Sequence, residues 1–182
     1  MKILLGVTGS VAAKLTPVMV KALTAAGHEV EVVATEPSIY FWKPEDVDVK
    51  VWRDKDEWIG SGYMKDQKIP HIDLRNWADM ILIAPLTANT LAKLANGMAD
   101  NLLTSVMRAW DIEKPVVVVP AMNTHMWERE ITRDHLQMLK KWFKNYMMIS
   151  PISKKLACGD TGMGAMATVS DIVSMINMVR SG

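Results

Sequence analysis

Four short stretches of the chain are almost continuously apolar: Lys2 to Val7, Glu29 to Ala34, Met80 to Ala84 and Pro115 to Val119. A strand with one wet face alternates apolar and polar residues. A strand covered on both faces does not, so these runs of Ile, Leu and Val predict interior strands of a parallel sheet. Longer segments with helical spacing separate them. In Val11 to Ala26, the residues Leu15, Val18, Met19, Ala22 and Leu23 fall on one stripe, which Pro17 is expected to divide or kink because proline brings no amide hydrogen. Thr90 to Leu94, Asp100 to Trp110, Ile131 to Phe143 and Ser170 to Val179 are the other predicted helices. Alternation of strand and helix implies right-handed crossovers, hence the α/β class: a three-layer sandwich around a central parallel sheet, with residues 1–182 as one domain. Asp46 to Asp66, flanked or interrupted by Pro44, Gly60 and Gly62, is predicted as an exposed excursion.

In sheets of this kind ligands collect beyond the carboxyl ends of the strands. The four exits read Thr8-Gly9-Ser10-Val11, Thr35-Glu36-Pro37-Ser38, Pro85-Leu86-Thr87-Ala88-Asn89-Thr90 and Pro120-Ala121-Met122-Asn123, all rich in small hydroxyl or amide residues. Gly9 and Ser10 opening a helix make a candidate anion site, with Thr35 and Ser38 able to add hydroxyls from the next exit. A helix terminus contributes only about 0.3 to 2 kcal/mol towards an anion. Micromolar binding needs about 8 kcal/mol, so the rest of a ligand must be held elsewhere. The alternative is a plain turn with a helix cap. A dinucleotide site requires G-x-G-x-x-G and an acid some 20 residues on. Here Gly6 and Gly9 are followed by Ala12, and Glu36 is the only candidate acid. A mononucleotide with one terminal phosphate fits better, flavin mononucleotide being the obvious instance.

Composition narrows the partners. The 182 residues are 49% apolar and 23% charged, and 21 basic against 20 acidic side chains leave a net charge of +1, so neither nucleic acid nor an anionic membrane surface is expected. No apolar run approaches the ~18 to 20 residues of a membrane span. The apolar N-terminus is broken by Gly6, Thr8, Gly9 and Ser10, which reads as strand and turn rather than a secretion signal; a cytoplasmic protein is expected. The lone Cys158 has no disulfide partner and is either a small hydrophobe or a reactive thiol. No metal site is expected, because His28, His71, His125 and His135 form no H-E-x-x-H pair. His28 and His135 are expected to be solvated. Some tryptophans, among them Trp77, Trp110 or Trp127, are candidates for a subunit contact. A Cys/His hydrolase built on Cys158 and His71 is conceivable, but no oxyanion hole can be read for it.

Four segments together resemble the flavin-containing cysteine decarboxylases. They are Val7-Thr8-Gly9-Ser10-Val11-Ala12; His71-Ile72 through Trp77-Ala78-Asp79 to Ala84-Pro85-Leu86-Thr87-Ala88-Asn89-Thr90; Pro120-Ala121-Met122-Asn123 with Met126-Trp127; and Leu156-Ala157-Cys158-Gly159-Asp160 with Gly162, Gly164 and Met166. The resemblance implies a Rossmann-like flavoprotein sandwich that binds FMN and assembles as a homotrimer or a multiple of trimers, with sites at the interfaces. It implies removal of carbon dioxide from 4'-phosphopantothenoylcysteine to give 4'-phosphopantetheine in coenzyme A biosynthesis. The family's route solves a specific problem: an amide-linked cysteine offers no sink for the carbanion. Oxidation at the sulfur-bearing carbon creates a thioaldehyde sink, and the flavin returns its hydride after carbon dioxide has left.

By motif, the resemblance assigns Gly9, Ser10 and Val11 to the FMN phosphate region, with Thr35 and Ser38 assisting, and Thr87, Ala88, Asn89, Thr90 and Ala121 to the rest of the cofactor. His71 resembles the histidine that transfers a proton at the reacting centre. Asn123 resembles the residue that binds the substrate carboxylate. Cys158 would return the last proton from a lid around residues 153–168, where Lys155, Ala157 and Met166 also reach substrate and glycines permit closure. Thr87 stands where the family often has serine, and Thr161 and Met163 depart from its lid pattern. Three relatives of the same fold are the alternatives. Peptidyl-cysteine decarboxylases share the FMN core, although the Ala-Cys-Gly-Asp lid favours the coenzyme A substrate. Phosphatase-regulatory flavoproteins typically carry long acidic extensions. Flavin prenyltransferases would need neither the Pro120 to Asn123 segment nor the cysteine lid.

Overall fold

The computed structural model of the chain describes residues 1–58, 60, 67–155 and 161–180. Six strands form one sheet: β1 (Lys2–Val7), β2 (Glu29–Ala34), β3 (Val51–Trp52), β4 (Met80–Leu86), β5 (Val116–Pro120) and β6 (Tyr146–Met148), in the order β3-β2-β1-β4-β5-β6 with every pairing parallel. The helices are α1 (Thr16–Ala25), α2 (Pro70–Trp77), α3 (Ala88–Ala95), α4 (Leu102–Arg108), α5 (Thr124–Glu128), α6 (Glu130–Trp142) and α7 (Val169–Arg180). This is the α/β sandwich with a central parallel sheet that the apolar runs predict, in the Rossmann-like form that the resemblance implies.

The alternation of each strand builds two cores. Ile3, Leu5, Val7, Leu82, Ala84, Val117 and Val119 face α1 and α7 through Leu23, Ile172 and Ile176. Leu4, Ile81, Ile83, Val116 and Val118 face the opposite layer, where Leu74, Leu91, Leu103 and Leu136 come from α2, α3, α4 and α6. Every residue of β4 is buried. At about 25 cal/mol per Å² of apolar surface removed from water, this two-sided burial outweighs the modest cost of parallel pairing.

Several expectations are corrected in detail. The stripe from Val11 to Ala26 is a 3-10 turn over Val11–Leu15 followed by α1, with Pro17 in the first turn of α1, where its missing amide hydrogen costs nothing. His28 is buried rather than solvated, and its Nε2 lies 3.0 Å from Asn177 Oδ1 on α7. Trp110 is buried in the second core. The excursion after β2 contains β3 and a 3-10 turn over Asp54–Glu57. Beyond the sheet, β7 (Ile152–Lys155) and β8 (Thr161–Ala165) form an antiparallel hairpin in the predicted lid region. No helix among the described residues is long and apolar enough to cross a membrane.

Candidate active site

The chain turns one way from β1 to β2 and the other way into β4, so the sheet has its switch point between β1 and β4. A cavity of about 470 Å³ opens there, within the range typical of ligand sites. Its wall draws on all four strand exits: Gly9 and Ser10 after β1, Thr35 and Pro37 after β2, Thr87 to Thr90 after β4, and Ala121 and Met122 after β5. Eight of the ten residues assigned to the cofactor from sequence therefore share one wall. Val11 and Ser38 are not on it. Val11 is exposed at the start of the 3-10 turn, and the buried Ser38 hydroxyl donates to the Thr35 carbonyl at 2.7 Å.

Local chemistry fixes this wall. The Thr8 hydroxyl, fully buried, donates to the Pro85 carbonyl at 2.7 Å and accepts the Thr87 amide at 3.0 Å, which ties the β1 exit to the β4 exit. Thr87 caps α3 by accepting the Thr90 amide, and Ser10 accepts the Ala12 amide at 3.2 Å. A Cβ on Gly9 would lie 2.6 Å from Pro37 Cβ, so only glycine lets the first two exits approach this closely. The wall thus combines a glycine cradle with the hydroxyls of Ser10, Thr35, Thr87 and Thr90 and the N-terminal turn of α3. That donor set suits a phosphorylated, otherwise largely uncharged ligand such as a flavin nucleotide. The helix that starts at Ser10 is a five-residue 3-10 turn, so α3, rather than α1, presents a full helix terminus to the cavity.

The cavity lining is also charged, and sequence reading missed this. Asp54, Lys93, Asp100 and Asn101 belong to it together with Met126. Lys93 pairs with Asp100, and that hydrogen bond holds the Asp100 carboxyl below its ordinary range. Burial pushes the Asp54 carboxyl upward, although it accepts the Leu102 amide at 3.1 Å. A carboxyl raised by folding favours the folded state only while protonated, and that stability is lost as pH climbs through and above the carboxylate range. Asp54→Asn keeps the acceptor for Leu102 and removes the charge. It is expected to melt at a higher temperature than the parent at neutral pH, the gap closing on acidification; thermal unfolding across pH checks this.

His71 stands in the first turn of α2, after Pro70, and its Nδ1 meets the carboxylate of Glu57. His71 is not part of the cavity wall of the single chain, but Glu57 ends the 3-10 turn whose first residue, Asp54, is. At about 2 Å per residue, that turn spans only about 6 Å. Asn123 caps α5, its side-chain oxygen accepting the His125 amide at 2.9 Å, next to the cavity residue Met122. The hairpin packs directly on this exit. The Met122 amide donates to the Gly164 carbonyl at 2.9 Å, and a Cβ on Gly162 would come 2.6 Å from Thr124 Oγ1. Gly164 has φ of +136°, and a Cβ there would overlap the Met122 carbonyl. Met166 is buried in the core with Val119 and Ile149. Ala157 and Cys158, and the side chain of Lys155, lie outside the described residues.

The Flavoprotein family matches residues 1–181. The chain is 50% identical over 181 residues to a phosphopantothenoylcysteine decarboxylase of Mus musculus, covering 99% of this chain and 87% of the mouse protein. Among solved structures, a cysteine-to-serine mutant of PPC decarboxylase complexed with pantothenoylaminoethenethiol superposes with a TM-score of 0.92 at 42% identity, covering 100% of this chain and 98% of that one. The FMN binding protein AtHal3 superposes with a TM-score of 0.88 at 43% identity, over 98% of this chain and 95% of that one.

Proposed function

Because the chain belongs to the Flavoprotein family, we propose that it holds FMN in the strand-exit cavity and decarboxylates 4'-phosphopantothenoylcysteine to 4'-phosphopantetheine, a step of coenzyme A biosynthesis. The observation that carries this reading is the convergence of Gly9, Ser10, Thr35, Thr87, Ala88, Asn89, Thr90 and Ala121 on one cavity at the switch point. The substrate follows from the decarboxylase relatives that match nearly the whole chain.

A bound flavin would supply reversible two-electron chemistry at the sulfur-bearing carbon of the substrate. The rest is the work of the chain. Ser10, Thr87 and the first turn of α3 hold the phosphate of the cofactor, while Ala121 and Met122 offer apolar surface beside it. Asn123, whose side chain the His125 amide orients, binds the substrate carboxylate. His71 moves a proton at the reacting centre. Cys158, which falls between β7 and β8 in the sequence, returns the final proton.

The reading includes a cytoplasmic homotrimer, or a multiple of trimers, in which His71 reaches the cavity of a neighbouring subunit. The subunit contact is supported by Trp58, which follows Glu57 in the sequence and is 83% exposed, and by Ile69, two residues before His71 and 43% exposed, apolar surface suited to such a contact.

Purified protein is expected to turn and stay yellow with FMN, and then to convert phosphopantothenoylcysteine to a product lighter by one carbon dioxide, read by mass spectrometry. Protein that ignores FMN would overturn the cofactor. Flavin-loaded protein that leaves this substrate intact would overturn the reaction.

A further inference from the structure

We propose that Glu57 is a positioning residue for the reaction: it holds the proton of His71 on Nδ1 and so presents Nε2 as the basic nitrogen to substrate. The inference rests on the proposed function, which gives His71 its role, but its evidence is independent of the motifs that suggested that role.

Glu57 belongs to the charged run Asp54-Lys55-Asp56-Glu57, where four ionisable side chains in succession would ordinarily be solvated. Yet its side chain is only 12% exposed, against 27% for that of His71. Its Oε1 meets His71 Nδ1, while Oε2 is buried with no hydrogen-bond partner among the described residues. Taking a carboxylate out of water is a poor route to stability. The arrangement makes sense as a constraint on the imidazole. An ionised carboxylate only accepts, so the ring nitrogen facing it carries the hydrogen, and the other nitrogen of the neutral ring keeps its lone pair.

Both halves of the pair are anchored. The Arg53 amide donates to Asp56 Oδ2 at 2.7 Å, Arg53 pairs with Glu36, and the Leu102 amide holds Asp54, so the turn bearing Glu57 is tied to the β2 exit and to the start of α4. On the other side, Lys114 Nζ donates to the carbonyls of Arg75 at 2.8 Å and Ala78 at 2.7 Å, which fixes the C-terminal end of the helix bearing His71. A ring oriented by an anchored carboxylate is preorganised, and a carboxylate that selects a tautomer affects turnover rather than binding.

The test compares Glu57→Gln and Glu57→Asp with the parent in the FMN-loaded protein. Glutamine preserves size but can also donate, so it admits the wrong tautomer. The expected result for Glu57→Gln is a fall in kcat of about 10- to 100-fold, with KM and flavin affinity within about twofold and partial recovery in Glu57→Asp. In parallel, long-range nitrogen–proton NMR correlations of histidine-labelled protein, assigned with His71→Asn, are expected to show Nδ1 protonated in the parent and a mixture in Glu57→Gln. Unchanged kcat in Glu57→Gln, or a parent ring protonated on Nε2, would overturn the proposal. Flavin-loaded parent protein with no decarboxylation would instead refute the function, while the resonances would still show whether Glu57 governs the ring.

Discussion

His71→Asn is expected to lose about 10³-fold or more in kcat for carbon dioxide release, at the upper part of the range for general acid–base groups. Asparagine still presents a donor to Glu57 and no longer has an imidazole nitrogen to carry the proton. The local structure should survive the change. Only Pro70 and Leu74 of α2 are buried, and the Ile72 and Asp73 amides both bond to the Ile69 carbonyl at 3.0 Å without help from the imidazole. The eight cofactor residues on the cavity wall do not include position 71, so flavin affinity and absorbance should match the parent. Rapid-mixing assays with the flavin spectrum as an internal control measure both quantities. Full turnover by this variant would remove the proton-transfer role, whereas loss of flavin would make residue 71 part of the binding site.

The uneven legibility of the sequence has physical causes. The interior strands β1, β4 and β5 are covered on both faces, so burial wrote itself into nearly consecutive Ile, Leu and Val residues, whereas β2 alternates Glu29 and Glu31 with Val30 and Val32 before its buried second half. The edge strands β3 and β6 are two and three residues long and only half-buried, too short to stand out as strands from pattern alone. Helix α2 was missed for a similar reason: Pro-His-Ile-Asp-Leu-Arg-Asn-Trp has one fully apolar anchor, Leu74, and its start was signalled only by Pro70. The cavity wall was legible because strand ends are local in sequence. Its charged residues were not, since Asp54, Lys93 and Asp100 are brought together by the fold alone, as are Glu57 and His71. Beside the charged lining residues, Asn101 carries a local sign, as the capping residue before Leu102.

Gly9→Ala is expected to weaken flavin binding by at least about 30-fold, roughly 2 kcal/mol. The added methyl would sit 2.6 Å from Pro37 Cβ and 3.2 Å from its carbonyl carbon, and a proline ring cannot swing aside. Relief must come from moving the turn Glu36–Tyr40 or the β1 exit, and both form the cavity wall. Overpacking of this kind costs about 1 to 3 kcal/mol, too little to unfold a typical domain but enough to misplace its ligand contacts. Fluorescence titration with FMN gives the affinity and circular dichroism the fold. In a Pro37→Gly background the same substitution should cost less, because the nearest clashing atom is gone; equal costs in both backgrounds would show that the contact is not the cause. The variant also tests the assembly. At an FMN concentration that fills the parent site only, Gly9→Ala chains carry no flavin but keep His71, while His71→Asn chains have the converse defect. If each site takes its flavin from one subunit and its histidine from the next, randomly mixed chains in equal amounts should recover about a quarter of the parent activity. Recovery requires that subunits exchange, which isotope-tagged chains and native mass spectrometry establish directly. Mixed oligomers with no activity would place the histidine and the cavity it serves within one chain.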